Sequence, residues 1–134
     1  MKKNYILTFI SILITFLSFG QDMLITGAFD GSMSSGTPKL VEIYVINDIA
    51  DLSSYGYGSA NNGGGTDGQE LTFAGSASAG DYIYITDGGN GGAANFTTYF
   101  GFAADYVNSS AGINGDDALE LFFNDAVIDT FGNI

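Results

Sequence analysis

The sequence predicts an all-β protein, an antiparallel β-sandwich of seven short strands, and three observations lead to this prediction. Several segments alternate apolar and polar residues with period two, they are rich in β-branched and aromatic residues, and glycine-rich stretches separate them. The chain has 134 residues, 46% hydrophobic, with 20 glycines. This length fits one domain with its own core.

The clearest strand is predicted at residues 40–46, where Val41, Ile43 and Val45 share one face and Glu42 lies on the other. The same alternation predicts further strands at residues 81–86, 118–123, 23–26, 51–55, 69–73 and 126–131. Residues 95–102 space their aromatic side chains helically and predict a short helix. Residues 59–68, 75–80 and 87–94 are rich in glycine and small residues and are predicted to form turns and loops.

Residues 1–20 have the layout of a secretory signal peptide. Lys2 and Lys3 precede fifteen mostly apolar residues at 5–19, and small and polar residues follow, with cleavage expected near Gly20 and Gln21. A retained membrane anchor or a buried helix is the alternative, although the apolar run is shorter than the roughly 20 residues that span a bilayer. We therefore expect a secreted or cell-surface protein whose domain comprises residues 21–134, with no membrane attachment after cleavage.

Composition excludes several classes of function. The chain has no Cys, His or Trp, which removes Ser-His-Asp and Cys-His catalysis, zinc fingers and disulfides. All 15 acidic residues follow Gln21 and only Lys39 remains among the cations, so residues 21–134 carry a net charge of −14. Binding to nucleic acid requires several Lys or Arg contacts with phosphates, so we expect no direct nucleic-acid binding.

The acidic loops suggest a calcium site as an alternative to ordinary turns. No segment fits the EF-hand template or the glycine-rich calcium repeat. Asp116 and Asp117 are the candidate metal ligands, provided that a third oxygen came from a residue such as Asp30 or Asp67. The other interpretation is that the aspartates accept backbone N–H groups in a turn before the strand at 118–123. No cofactor is predicted apart from this possible calcium ion.

Two further groups of side chains have both a functional and a structural interpretation. Glu42 and Glu120 sit in the middle of strands and would suit a glycosidase only if they faced one another about 5–9 Å apart. The alternation instead predicts that both point to solvent on an outer face. Tyr44, Tyr82 and Tyr84 would form a stacking platform for sugars or bases, or else pack against one another across strands.

An ordered series of short motifs resembles the bacterial lamin tail domain. The motifs are Glu42-Ile43-Tyr44, Leu52-Ser53-Ser54, Ala79-Gly80-Asp81, Gly115-Asp116-Asp117-Ala118-Leu119 and Val127-Ile128-Asp129. The resemblance covers essentially all of residues 21–134. It implies an immunoglobulin-like β-sandwich and a non-catalytic module of exported bacterial proteins, found beside nucleases and other hydrolases.

The family pattern continues past the last of these motifs to a Trp-containing turn and a closing strand, whereas this sequence stops at Ile134. We therefore expect either the N-terminal part of a larger secreted protein or a shortened relative that lacks the last strand and leaves an unpaired edge. The first functional hypothesis is an accessory or interaction module for an unknown protein or cell-surface partner. The alternatives are a domain carried along by an extracellular nuclease or other hydrolase, and a calcium-stabilised adhesion or ligand-binding module.

Overall fold

The structure, a computed structural model, describes residues 21–133, and the predicted signal peptide lies outside them. Eight strands follow one another along the chain: β1 (Met23–Met33), β2 (Thr37–Val45), β3 (Tyr55–Ala60), β4 (Leu71–Thr72), β5 (Tyr82–Thr86), β6 (Tyr106–Val107), β7 (Ala118–Phe123) and β8 (Ala126–Phe131). A single α-helix in the described part, α1 (Gly92–Phe100), lies between β5 and β6. Among residues 21–133 no helix is long and apolar enough to cross a membrane.

The strands form two four-stranded sheets, which confirms the predicted all-β sandwich. The first sheet has the order β1-β2-β5-β6 and the second has the order β4-β3-β7-β8. All pairs are antiparallel except β5 and β6, which pair in parallel over two residues. The immunoglobulin-like assignment, which rests on the resemblance, stays a prediction.

The core lies between the sheets and is built by the alternation that the sequence displays. Because successive side chains of a strand point to opposite faces, β2 and β5 each turn one apolar row inward. The first sheet contributes Met23, Ile25, Val41, Ile43, Val45, Ile83 and Ile85, and the second contributes Tyr55, Tyr57, Leu119 and Leu121. Full burial of one such aliphatic side chain stabilises the fold by about 1.5–3 kcal/mol.

The edges of the two sheets are joined at β1 and β8. The β1–β2 register shifts between Ile25 and Gly27, and the N–H of Ile25 donates to Asp129 Oδ2 at 2.8 Å. Asp129 closes the motif Val127-Ile128-Asp129, so this aspartate satisfies a backbone donor at the irregular position of β1. Strand β8 forms the edge of the second sheet, and its Val127 and Phe131 side chains are exposed.

Several predicted elements differ from the observed ones. Of the predicted strand 51–55, only Tyr55 lies in a strand, as the first residue of β3, because the Asp51 side chain accepts the Ser53 N–H and starts a 3-10 turn at Leu52–Ser54. Strand β1 continues to Met33, well beyond the predicted residue 26, and β4 is shorter than the predicted 69–73. Strand β3 includes Ser59 and Ala60, which were predicted to begin a loop, and β6 was not predicted.

Strand β3 is built on glycine because another part of the chain lies directly against it. Its inward residues are Tyr55 and Tyr57, while Gly56 and Gly58 face outward. A Cβ on Gly58 would lie 2.4 Å from the carbonyl oxygen of Gly68, and one on Gly56 would lie 2.2 Å from the side chain of Gln69. Residues 61–70, which we call the cover segment, therefore lie against the outer face of the second sheet.

We predict that Gly58→Ala destabilises the protein by about 1–3 kcal/mol, because the new methyl group overpacks against backbone. Gly27→Ala in β1 is the matched control, since a Cβ there meets nothing within 4 Å. It is expected to be neutral or slightly stabilising. Urea denaturation of both variants measures the free energies of unfolding, and equal effects at the two positions would contradict the close approach of the cover segment.

Candidate functional site

A row of tyrosines occupies the outer face of the first sheet. Tyr44 of β2 lies directly opposite Tyr82 of β5 in the strand register, and their ring centroids are 5.2 Å apart. Tyr84 follows on the same face of β5, and its ring stacks on that of Tyr82 with centroids 6.2 Å apart and an angle of 18° between the planes. The structure therefore places the three tyrosines together, as the alternation predicts.

Helix α1 covers one end of this face and leaves Tyr82 exposed, while Tyr44 and Tyr84 are half-buried. Phe96 of the helix is fully buried, with its ring centroid 6.3 Å from that of Tyr84. Phe102, just after the helix, lies 5.0 Å from Tyr84 and is 43% exposed, while Tyr82 is 48% exposed. We call Tyr44, Tyr82, Tyr84 and Phe102 the aromatic face. Cross-strand packing and an exposed ring surface, offered as alternatives by the sequence, coexist here.

Carboxylates border the aromatic face. Glu42 lies opposite Tyr84 in the register, and its Oε1 accepts the Thr26 hydroxyl at 2.7 Å. Asp105 accepts the backbone N–H of Tyr84 at 2.8 Å. Partial burial, followed by the negative charge of Glu42, raises the pKa of the Tyr84 phenol.

An open cleft of about 340 Å³ adjoins the aromatic face at Tyr82. Asp81 and Asp105 line it together with Tyr82 and Tyr106. The Tyr106 hydroxyl accepts the Ala74 N–H at 2.9 Å and donates to the Ala74 carbonyl at 3.0 Å, which fixes one wall. The cleft extends the aromatic face into a concave, acidic surface.

Glu42 and Glu120 do not form a catalytic pair. They lie on the outer faces of different sheets, with the core between them, and packed sheets are about 10 Å apart. The prediction that Glu120 faces solvent is also wrong, because this residue is fully buried. The cover segment encloses it, and Thr66 Oγ1 donates to Glu120 Oε2 at 2.7 Å. No partner is found for Glu120 Oε1 among the described residues.

The candidate metal ligands Asp116 and Asp117 both line an open depression on the surface, next to Asn62. Asp117 accepts the N–H of Asn62 at 3.0 Å and that of Asn114 at 2.7 Å, one on each carboxylate oxygen. Asp30 pairs with Lys39 at 2.9 Å. Within residues 21–133, no group of three or more acidic side chains is arranged to hold a metal ion. The contacts of Asp117 are those of the turn interpretation, and the calcium site stays a prediction without a third ligand.

Carboxylates serve mainly to hold loops in this molecule. Those that accept backbone N–H groups are Asp48, Asp51, Glu70, Asp81, Asp87, Asp105, Asp117 and Asp129. Hydrogen bonds to an ionised acceptor are roughly twice as strong as neutral ones. The bond from the Ser53 backbone N–H, followed by that from the Ser53 side chain, lowers the pKa of Asp51.

Comparisons of the chain with protein-family models, curated proteins and solved structures find no match. The resemblance to the lamin tail domain accordingly stays a prediction. The aromatic face is therefore identified from its geometry. The sequence did not predict that two further side chains would contact Tyr84. Phe102 and Asp105 reach Tyr84 because the chain returns from α1 to the edge of β5.

We predict that alkaline pH destabilises the fold through Tyr55. Burial, followed by the hydrogen bond to Asp22, raises the pKa of Tyr55 to about 12, against about 10 in the unfolded chain. The folded protein therefore holds this proton while the unfolded chain loses it, so stability falls as pH rises from about 10 to 12. Tyr55 contributes about 1.4 kcal/mol per pH unit to this slope, beside the contributions of Tyr57 and Tyr84, whose pKa values are also raised. Urea denaturation at several alkaline pH values measures this slope. An equally steep slope in Tyr55→Phe would contradict the assignment.

We predict that Thr66→Val costs about 1–3 kcal/mol of stability, because it removes the hydrogen bond of a buried carboxylate. Replacing both partners in Thr66→Val/Glu120→Leu restores part or all of the loss, since no polar group is left unpaired. Thr98→Val on the exposed surface of α1 is the control and is expected to stay within about 0.5 kcal/mol. Equal free energies of unfolding for Thr66→Val and the control would refute the contact.

Proposed function

We propose that the chain is an exported, non-catalytic interaction module that contacts its partner through the aromatic face. The observation that carries this proposal is the row of Tyr44, Tyr82 and Tyr84 on one outer sheet face, in which Tyr82 is exposed and the other two are half-buried, continuous with the exposed Phe102. Tyrosine offers a large apolar ring and a polar hydroxyl with few rotatable bonds, and it is enriched where proteins bind one another. Contiguous exposed apolar surface of this kind marks interaction sites.

The remaining side chains favour binding over catalysis. Many carboxylates are engaged by backbone N–H groups, and Glu42 and Glu120 lie on opposite sides of the sandwich. The sequence offers no imidazole or thiol. The predicted signal peptide supports export, and the resemblance to the lamin tail domain supports an accessory role beside another protein or domain. Lys39 pairs with Asp30, which supports the absence of direct nucleic-acid binding.

The catalytic alternative is tested on the purified chain with nuclease, phosphoesterase and glycosidase substrates, in the presence of Mg²⁺ and Ca²⁺. We expect no turnover above that of a heat-denatured sample. Turnover that copurifies with the chain and disappears in Glu42→Gln would overturn the non-catalytic assignment.

The binding role is tested by selecting a short random peptide library on the immobilised chain. Enriched peptides are expected to bind Tyr82→Ser at least about tenfold more weakly, a loss of roughly 1.4 kcal/mol. Tyr99→Ser is the matched control, because Tyr99 on α1 is 49% exposed and lies outside the aromatic face. A library without enrichment, or peptides that lose affinity equally in both variants, would overturn the proposed surface.

A further inference from the structure

The electrostatic field around the aromatic face has one sign. Within residues 21–133 Lys39 is the sole lysine or arginine, against 15 acidic residues. Its side chain is 12% exposed, pairs with Asp30 and donates to the carbonyl of Ile113. The Lys39 ammonium group is therefore occupied by contacts within the folded protein. The surface of these residues attracts cations and repels phosphates and acidic glycans.

The geometry of the aromatic face adds a local preference for cations. The faces of aromatic rings carry negative electrostatic potential, and an ammonium or guanidinium group above a ring is attracted to it. Tyr82, whose ring is half exposed, lies between Tyr44 and Tyr84. Its ring is held by cross-strand packing before any ligand arrives, which reduces the ordering cost of binding.

Carboxylates lie close to the rings of the aromatic face, where they would pair with the charge of a bound cation. Glu42 borders Tyr84 on one side, and Asp105 is anchored to the Tyr84 N–H on the other. Asp81 and Asp105 then line the cleft next to Tyr82. A guanidinium group suits this arrangement, since it stacks on rings and also donates to carboxylates in a fixed fork. Neutral sugars also stack on rings, but they gain nothing from the net charge.

We propose that the partner of the aromatic face is a basic peptide segment, whose Arg or Lys side chains stack on Tyr82 and Tyr84 between the carboxylates of Glu42, Asp81 and Asp105. This inference rests on the proposed function and names the chemistry of its partner. The segment belongs to a protein, because side chains in series are required to reach both the tyrosines and the adjoining cleft.

The test uses the blocked peptide Gly-Arg-Gly-Arg-Gly and its citrulline analogue, which has nearly the same shape without the charge. Because the chain has no Trp, its intrinsic fluorescence comes from the tyrosines, which include the three of the aromatic face, and a change in it on titration measures binding. At physiological ionic strength we expect the arginine peptide to bind at least about tenfold more tightly than the citrulline peptide, with a further loss at high salt. Equal binding of the two peptides, or binding of neither, would overturn the inference.

Substitutions separate recognition by the rings from attraction by the net charge. Tyr82→Leu keeps the charge and is expected to weaken the arginine peptide roughly two- to fivefold, the scale of an exposed cation–π contact. Tyr99→Leu, the equally exposed control, is expected to leave binding unchanged. Glu42→Gln is expected to weaken binding as well. If Tyr82→Leu and Tyr99→Leu bound the arginine peptide with equal affinity, the net charge alone would explain binding, and the proposed binding site on Tyr82 would be overturned.

Failure of this inference is distinguishable from failure of the proposed function. Library peptides that depend on Tyr82 but are not enriched in Arg or Lys would overturn the cationic partner and leave the interaction surface intact. If a neutral oligosaccharide bound through Tyr82 and the arginine peptide did not, the cationic partner would likewise be overturned and the interaction surface would remain. A library without any Tyr82-dependent peptide would overturn both.

Discussion

Acceptance of backbone N–H groups by carboxylates is the interaction on which the rest of this structure depends. With Lys39 as the single cation of the described residues, ion pairs cannot neutralise the acidic side chains. The chain instead uses them at irregular positions: Asp129 at the β1 shift, Asp117 between two loops and Asp105 at the edge of β5. In each of these contacts the carboxylate accepts a backbone N–H group that has no hydrogen-bond partner on a neighbouring strand. Long glycine-rich connections thereby remain ordered in a molecule whose charges repel one another.

The sequence was sufficient to predict the sandwich because two strands alternate strictly. Val41, Ile43 and Val45 on β2 and Leu119 and Leu121 on β7 fill the core as their spacing indicates. Burial on the outer faces could not be predicted from alternation, which orients a side chain without saying what covers it. Glu120 points outward as expected, yet residues 61–70 enclose it. The pair Gly56 and Gly58, which leaves room for that cover, was the available signal in the sequence.

The candidate site was partly visible in the sequence for the same reason. Tyr44, Tyr82 and Tyr84 share a face because each occupies the outward position of its strand. Phe102, Asp105 and Tyr106 reach that face only after the chain has passed through α1, and the parallel pairing of two-residue β6 leaves no periodic pattern. A third metal ligand beside Asp116 and Asp117 would have to come from another loop, and the sequence does not show which loops lie next to one another. The structure instead engages both oxygens of Asp117 with the backbone.

The cover over the second sheet also makes the two sides of the molecule unequal. One broad face is covered by residues 61–70, which lie against Gly56 and Gly58. In this segment Thr66 donates to Glu120, and Glu70 accepts the backbone N–H of Ser59. The opposite face leaves the side chains of Tyr82 and Phe102 exposed. Under the proposed function, a single copy would therefore be monovalent through its sheet faces and would decorate one partner rather than bridge two of them back to back. Any cross-linked network would need several copies on one polypeptide or an assembly of separate chains.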